Sequence, residues 1–279
     1  MSAKTLLITG CSSGFGRLTA LHMARKGWRV FATVRKESDR QSLLAESAGK
    51  VDVLLCDIVD EAQVAALGRA VAAATPTLDA LVNNAGTAMP SPLELLPPAD
   101  LRAQLNLNVV AQLAVTQAVL PLLRAARGTI INVSSISGRV TSPVTGPYSA
   151  SKFALEALSD ALRVELAPFG VRVVIIEPGS SPTAIWETSI RGAKTRIAER
   201  QVDTGPYGPL IERVEKFARR RGANGFPPQL FADTVERILD SRNPRIRYPI
   251  PRQAAMLIAV RKLLPDWLWD RIVRANLKW

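Results

Sequence analysis

A chain of 279 residues with 47% hydrophobic content can bury a substantial core, and one domain spanning residues 1–279 is expected. Two cysteines are too few for a disulfide framework and lack metal-ligand spacing. A single histidine, His22, argues against a histidine-based triad or a multi-histidine metal site, so a reducing, cytoplasmic setting without a metal is expected. The net charge of +12 is unevenly placed: residues 191–279 hold 19 Lys+Arg against 9 Asp+Glu, whereas residues 1–190 hold 17 against 15.

Lys4 precedes Leu6-Leu7-Ile8, a run too brief for a signal-peptide core, and no charge-free apolar run approaches the roughly 18 residues of a membrane span, so neither is expected. Thr5–Thr9 reads instead as a first strand. It runs into Thr9-Gly10-Cys11-Ser12-Ser13-Gly14-Phe15-Gly16 and a helix near 14–26 that carries His22 as an ordinary helix residue. Glycines at a strand-to-helix turn let the backbone approach a pyrophosphate, although the spacing here is GxxxGxG rather than GxGxxG.

A second strand, Arg29–Thr33, ends at Val34-Arg35-Lys36, where a dinucleotide fold reads the adenosine ribose. An acid there would suit NAD, whereas Arg35 suits a 2′-phosphate and favours NADP(H), with NAD(H) as the alternative. A third strand over Asp52–Cys56 delivers Asp57, placed either to accept from an adenine amino group or to help cap the helix near 61–74. A fourth, Ala80–Asn83, delivers Asn83-Asn84-Ala85-Gly86, in which the small pair leaves room for a flat ring.

A long helix is expected near 99–125, then a strand over Thr129–Ser134 followed by Ser135. A helix over 148–167 places Tyr148 and Lys152 on one face, where the ammonium is expected to lower the phenol's proton affinity and make it a usable acid/base. After the strand Arg172–Glu177, residues 180–227 are Arg-rich and helical in character. A helix over Ala232–Ser241 and a strand over Ile246–Ile250 follow. Repeated βα units of this kind form a doubly wound parallel sheet, here of about seven strands with helices on both faces. Residues 251–279 form a basic tail with Trp267, Trp269 and Trp279, which either packs on the core or lies at a bilayer interface.

TGCSSGFG, Asp57, NNAG, a helix asparagine, NVSS, YSASK and Pro178-Gly179-Ser180-Ser181-Pro182-Thr183 occur in one order over roughly residues 4–190. In these the chain resembles the short-chain dehydrogenase/reductase family, and within it the branch of 17β-hydroxysteroid and retinol dehydrogenases. The resemblance implies a Rossmann-type fold and hydride exchange between a nicotinamide and an alcohol or ketone. It makes Ser135 the holder of the substrate oxygen, Tyr148 the acid/base, Lys152 the ribose-binding tuner of the phenol, and Asn108 the fourth member, with Asn106 as an outside candidate. It places the cofactor against Gly10, Ser12, Ser13, Gly14, Phe15, Gly16, Arg35, Asp57, Ile58, Asn84, Ala85 and Gly86, under Pro178, Gly179 and Thr183.

Relatives in that branch act on apolar alcohols and ketones. Ile185, Trp186 and Ile190 either line such a pocket beneath a lid over 180–227 or are ordinary packing residues. Relatives also pair as dimers or tetramers through the two long helices near 99–125 and 148–167. Two rival classes are a noncatalytic dinucleotide sensor, which could lose Ser135, Tyr148 or Lys152, and a nucleic-acid binder, for which no motif accompanies the charge.

Overall fold

Side chains along the first strands alternate between two cores, so each strand must be covered on both faces. In β1 (Thr5–Ile8), Leu6 and Ile8 enter one core and Leu7 the other; in β2 (Arg29–Val34), Val30 and Ala32 oppose Phe31 in the same way. The computed structural model describes residues 3–182 and 185–279, with Ile185 and Trp186 described in backbone only.

Seven parallel strands form one sheet in the order β3-β2-β1-β4-β5-β6-β7. The others are β3 (Val51–Leu55), β4 (Ala80–Asn83), β5 (Thr129–Val133), β6 (Arg172–Pro178) and β7 (Arg247–Ile250). The order reverses direction at β1 and β4, and the crevice outside the carboxyl ends of those strands is where such sheets bind ligands. One face is covered by α1 (Gly14–Arg25) and α9 (Gln229–Asp240), whose Met23, Phe231, Val235 and Ile238 are fully buried. The other is covered by α3 (Glu61–Ala74), α5 (Ala111–Ala126) and the end of α6 (Gly146–Leu166), through Val71, Val115, Val119, Leu123 and Leu166.

The helix expected near 99–125 is longer and interrupted. It runs from α4 (Pro98–Leu105) through a single π-helical turn, Asn106–Val110, into α5. By length and composition alone the continuous helix Pro98–Ala126 is apolar enough to cross a membrane, an 18-residue window of it having a mean hydropathy of 1.5, although no unbroken apolar run in it is that long. Its buried side chains pack on the sheet and on α3. The helix α2 (Glu37–Glu46) was not expected: it buries only Leu43 and carries no clear apolar stripe.

Beyond β6, α7 (Ile185–Glu199) and α8 (Gly208–Ala223) leave the sheet and return at Phe226. There Phe226 N donates to Ser180 O at 3.1 Å and Ser181 Oγ donates to Phe226 O at 2.7 Å, joining the two ends of the excursion. Phe15 of α1 stacks on Phe226 and Phe231, with ring centroids 5.7 and 4.4 Å away. The tail forms α10 (Arg252–Leu263) against β7 and α11 (Asp266–Leu277) against α8.

Candidate active site

The glycine turn and the NNAG segment are built as one piece. Gly10 has φ +72°, and a Cβ there would sit 2.8 Å from Ala85 Cα; a Cβ on Gly16 would sit 2.4 Å from Gly10 O and 2.5 Å from Asn84 Nδ2. Thr9, to which sequence reasoning gave no role, joins the two strands: its Oγ1 accepts from Asn84 N at 3.1 Å and from Ala85 N at 3.0 Å, and Asn84 Nδ2 donates to Thr9 O at 2.8 Å. A threonine at a strand end is too common for the sequence to have marked it.

From this turn a cleft of about 700 Å³ runs along the carboxyl ends of the strands. Gly10, Ser12, Ser13, Gly14 and Phe15 line one end, whereas Gly16 lies behind them, packed on Gly10 and Asn84. The α1 N-cap, Ser13, makes no side-chain cap and the first turn holds no acid, so its amides face the cleft without a protein anion. That arrangement fits a pyrophosphate. Further along stand Arg35, exposed and without an ion pair among the described residues, then Asp57 and Ile58, then Asn84, Ala85 and Gly86. Asp57 Oδ1 accepts from Val59 N at 3.3 Å, while the neighbouring Asp60 caps α3 by accepting from Ala62 N and Gln63 N.

At the other end, α6 begins at Gly146 with Pro147 in its first turn, two residues earlier than expected, and carries Tyr148 and Lys152 onto the cleft wall. Lys152 Nζ lies 5.7 Å from the centre of the Tyr148 ring and donates to Val133 O at 2.8 Å. Ser135, buried two residues beyond β5, accepts from Ser137 N at 3.1 Å and donates to Pro178 O at 3.4 Å, and its hydroxyl acts to lower the proton affinity of Tyr148.

The electrostatics differ from the sequence expectation. Burial pushes the Tyr148 phenol up to about 12, only partly offset by Ser135. Burial also pulls the Lys152 ammonium down to about 8, partly offset by the Glu156 carboxylate. Loss of water disfavours both charged forms, and the nearby ammonium does not reverse this for the phenol. Tyr148 is therefore a protonated donor at neutral pH, not a preformed base.

Asn108, rather than Asn106, is the asparagine brought to the site. Asn106 is exposed, whereas the fully buried Asn108 sits in the π turn, accepts from Thr87 N at 3.0 Å and donates to Thr87 O and Ser151 Oγ, each at 2.9 Å. Ser151 Oγ in turn donates to Tyr148 O at 2.7 Å, linking Asn108 to the first turn of α6. A Cβ on Gly86 would lie 3.2 Å from Asn108 Oδ1 and 3.8 Å from Lys152 Nζ, so that glycine keeps the cleft floor open between them.

Pro178 and Gly179 line the cleft, with Gly179 N donating to Ile250 O at 2.6 Å. Thr183 lies outside the described residues, as do the side chains of Ile185 and Trp186. Ile190 lines the cleft, joined by Ile197, Ile211, Val214 and Ala218, which sequence reasoning did not single out. Only the meeting of α7 and α8 over the site gives those residues a shared face. Arg200 makes a bidentate pair with Asp100 at 2.8 Å, and Tyr207 donates to Glu94 Oε2 at 2.7 Å, so α7 and the turn before α8 are tied across the cleft mouth.

Residues 4–193 match the short chain dehydrogenase family. The chain is 33% identical to a 3-ketodihydrosphingosine reductase of Bacteroides thetaiotaomicron, over 100% of this chain and 98% of that protein. It is 33% identical to an NADPH-dependent 3-dehydrocapnine reductase of Ornithobacterium rhinotracheale (98% and 96% covered) and 34% identical to human retinol dehydrogenase 16 (97% and 87% covered). A short-chain dehydrogenase from Streptomyces avermitilis superposes with a TM-score of 0.80 at 27% identity, covering 99% of this chain and 98% of that one. The chain belongs to the short-chain dehydrogenase family and is an NAD(P)-dependent oxidoreductase acting on CH–OH groups.

Proposed function

We propose that this enzyme transfers a hydride, with NADP(H) preferred, between the nicotinamide and an apolar alcohol or ketone of lipid, steroid or retinoid type, and that it works as a carbonyl reductase. The observation that carries the proposal is the convergence of Ser135, Tyr148 and Lys152 on one wall of the cleft that begins at the glycine turn. When bound, the cofactor supplies the hydride.

The chain's own residues do the rest. Ser135 donates to the substrate carbonyl oxygen and aims it at Tyr148. As negative charge develops on that oxygen, the phenol gives up its proton, and the Lys152 ammonium stabilises the phenolate left behind. Asn108 holds the Thr87 turn and the first turn of α6 in register. The high proton affinity of Tyr148 makes donation its resting role, and two of the three curated relatives above are named as reductases and one as a dehydrogenase.

Three features support NADP(H). β2 ends in Val34 without a carboxylate, Arg35 lines the cleft without an ion pair among the described residues, and one relative is named as NADPH-dependent. The apolar faces of α7 and α8 support a large apolar substrate, with residues 180–227 acting as a lid on a single catalytic domain and 251–279 as an extension of it. Following NADPH and NADH consumption across steroid, retinoid and long-chain ketones tests the proposal, with Tyr148→Phe as control. Equal turnover by wild type and Tyr148→Phe would remove the tyrosine from the chemistry.

Contact of the tail with a membrane surface is supported by a separate observation. Met256, Leu263 and Trp267 are 63%, 83% and 66% exposed, among Arg252, Arg261, Lys262 and Arg271. Pairing of two copies through the long helices is supported by the exposure of Val110, Phe153 and Val164.

A further inference from the structure

Behind the face that bears Tyr148 and Lys152 lies a cluster of five charged side chains with no part in the chemistry above. Glu156, one helical turn beyond Lys152, is 6% exposed. Its Oε2 accepts from Arg247 Nε at 3.0 Å and lies 3.8 Å from Arg139 Nη1, while its Oε1 accepts no hydrogen bond among the described residues. Glu177, 2% exposed, lies 3.2 Å from Arg139 and 3.7 Å from Arg247, and Asp160 meets Arg247 at 2.6 Å.

Each member belongs to a segment that builds the site. Arg139 follows the Ser135 turn, Glu156 shares α6 with Tyr148 and Lys152, Glu177 precedes Pro178 and Gly179, and Arg247 lies on the edge strand β7. The contact is close. A Cβ on Gly138 would lie 2.7 Å from Ser134 Oγ and 3.1 Å from both Glu156 Cγ and Lys152 O, so the Ser135 turn presses directly on the turn of α6 between Lys152 and Glu156.

Lys152 is 4% exposed, and its ammonium donates to a neutral carbonyl. The groups around it from the β4 loop and the π turn, Gly86 and Asn108, are also neutral. The elements packed around it carry the charges of the cluster: Glu156 and Asp160 on α6, Arg139 after β5, Glu177 on β6 and Arg247 on β7. Of these, Glu156 is the one whose negative charge favours the Lys152 ammonium. A buried cation needs such a counter-charge, because burial alone drives it to the neutral form.

We propose that Glu156 is a positioning residue for the reaction: anchored by Arg139 and Arg247, its carboxylate keeps the Lys152 ammonium charged and ties the Ser135 turn and the Pro178 segment to the catalytic helix. The proposal rests on Lys152 having the role given above, and the test separates the two.

NMR of the free protein labelled at its lysine side chains follows each ammonium as pH is raised, and the Lys152 signal is identified by its loss in Lys152→Met. In the wild type the Lys152 midpoint is expected at about 8. Glu156→Gln is expected to lower it by about one unit and Glu156→Asp by less, with the alkaline fall in ketone reduction moving in step and KM for NADPH little changed. A folded Gln variant whose midpoint and alkaline fall stay at the wild-type pH, even with a lowered Tm, would overturn the proposal. Should the Gln variant not fold, an unmoved midpoint in Glu156→Asp does the same. Retained turnover in Lys152→Met would instead refute the role of Lys152, whatever the midpoints show.

Discussion

Burial keeps the Tyr148 phenol protonated and brings the Lys152 ammonium down to about 8, which are the forms the proposed carbonyl reduction would use at neutral pH, with the lysine close to losing its charge. The sign of the pH dependence follows. Below about pH 8 Lys152 is charged and Tyr148 protonated; as pH rises through that value the lysine turns neutral first. Ketone reduction at saturating NADPH is therefore expected to be flat through neutrality and to fall above about pH 8, and a rise over the same range would contradict the assignment. Arg35→Asp is expected to weaken NADPH by about 1.5–3 kcal/mol while sparing NADH, read as the ratio of the two kcat/KM values. In the sequence Tyr148 and Lys152 stood out through their four-residue spacing only in company with the other motifs, and Arg35 through its place after a strand. The proton affinity of Tyr148 was not legible there, because burial depends on β5, β6 and the segment carrying α7 and α8, which meet only in the folded chain.

At the scale of single elements, the strands were read almost to the residue. Most are short runs rich in aliphatic residues, and the pattern changes sharply at Gly10, Asp57 and Pro178. The π turn left no such mark: Asn106 and Asn108 stand two apart in an apolar helix, the resemblance favoured Asn108, and in the fold it is Asn108, within the π turn, that faces Thr87 and Ser151. Asn108→Ala is expected to cost about 1–3 kcal/mol of stability, seen as a lowered urea midpoint, because Thr87 N would lose its acceptor and Ser151 Oγ a donor. The ties across the cleft mouth were equally invisible, since Asp100 and Arg200 lie a hundred residues apart. As an exposed pair they add little stability, about 0–1 kcal/mol. Asp100→Asn should accordingly leave Tm within a degree or two, yet change KM for a long-chain ketone more than KM for a small one.

For the molecule as a whole, the doubly wound sheet does two things at once. Its strand order opens a crevice at the switch point between β1 and β4, and its last strand, β7, supports the basic tail, whose α11 packs on α8. The concentration of charge in residues 191–279 was plain in the sequence, but its partner was not, because a solvated surface and a lipid-facing one share the same composition. Exposure of Leu263 and Trp267 on the tail gives the proposed membrane contact a specific form. Sedimentation with vesicles containing an anionic lipid is expected to capture the enzyme at low salt and to weaken on Leu263→Ser with Trp267→Ser, while turnover of a water-soluble ketone is unchanged.

The chemistry itself is tested most directly by the fate of the hydride. With NADPH deuterated at the transferring position and an apolar ketone, the wild-type product is expected to carry one deuterium on its carbinol carbon. Tyr148→Phe is expected to bind NADPH normally and to form that product about 10²–10⁴-fold more slowly. Product free of the label, or formed at the wild-type rate by Tyr148→Phe, would contradict hydride transfer assisted by this tyrosine.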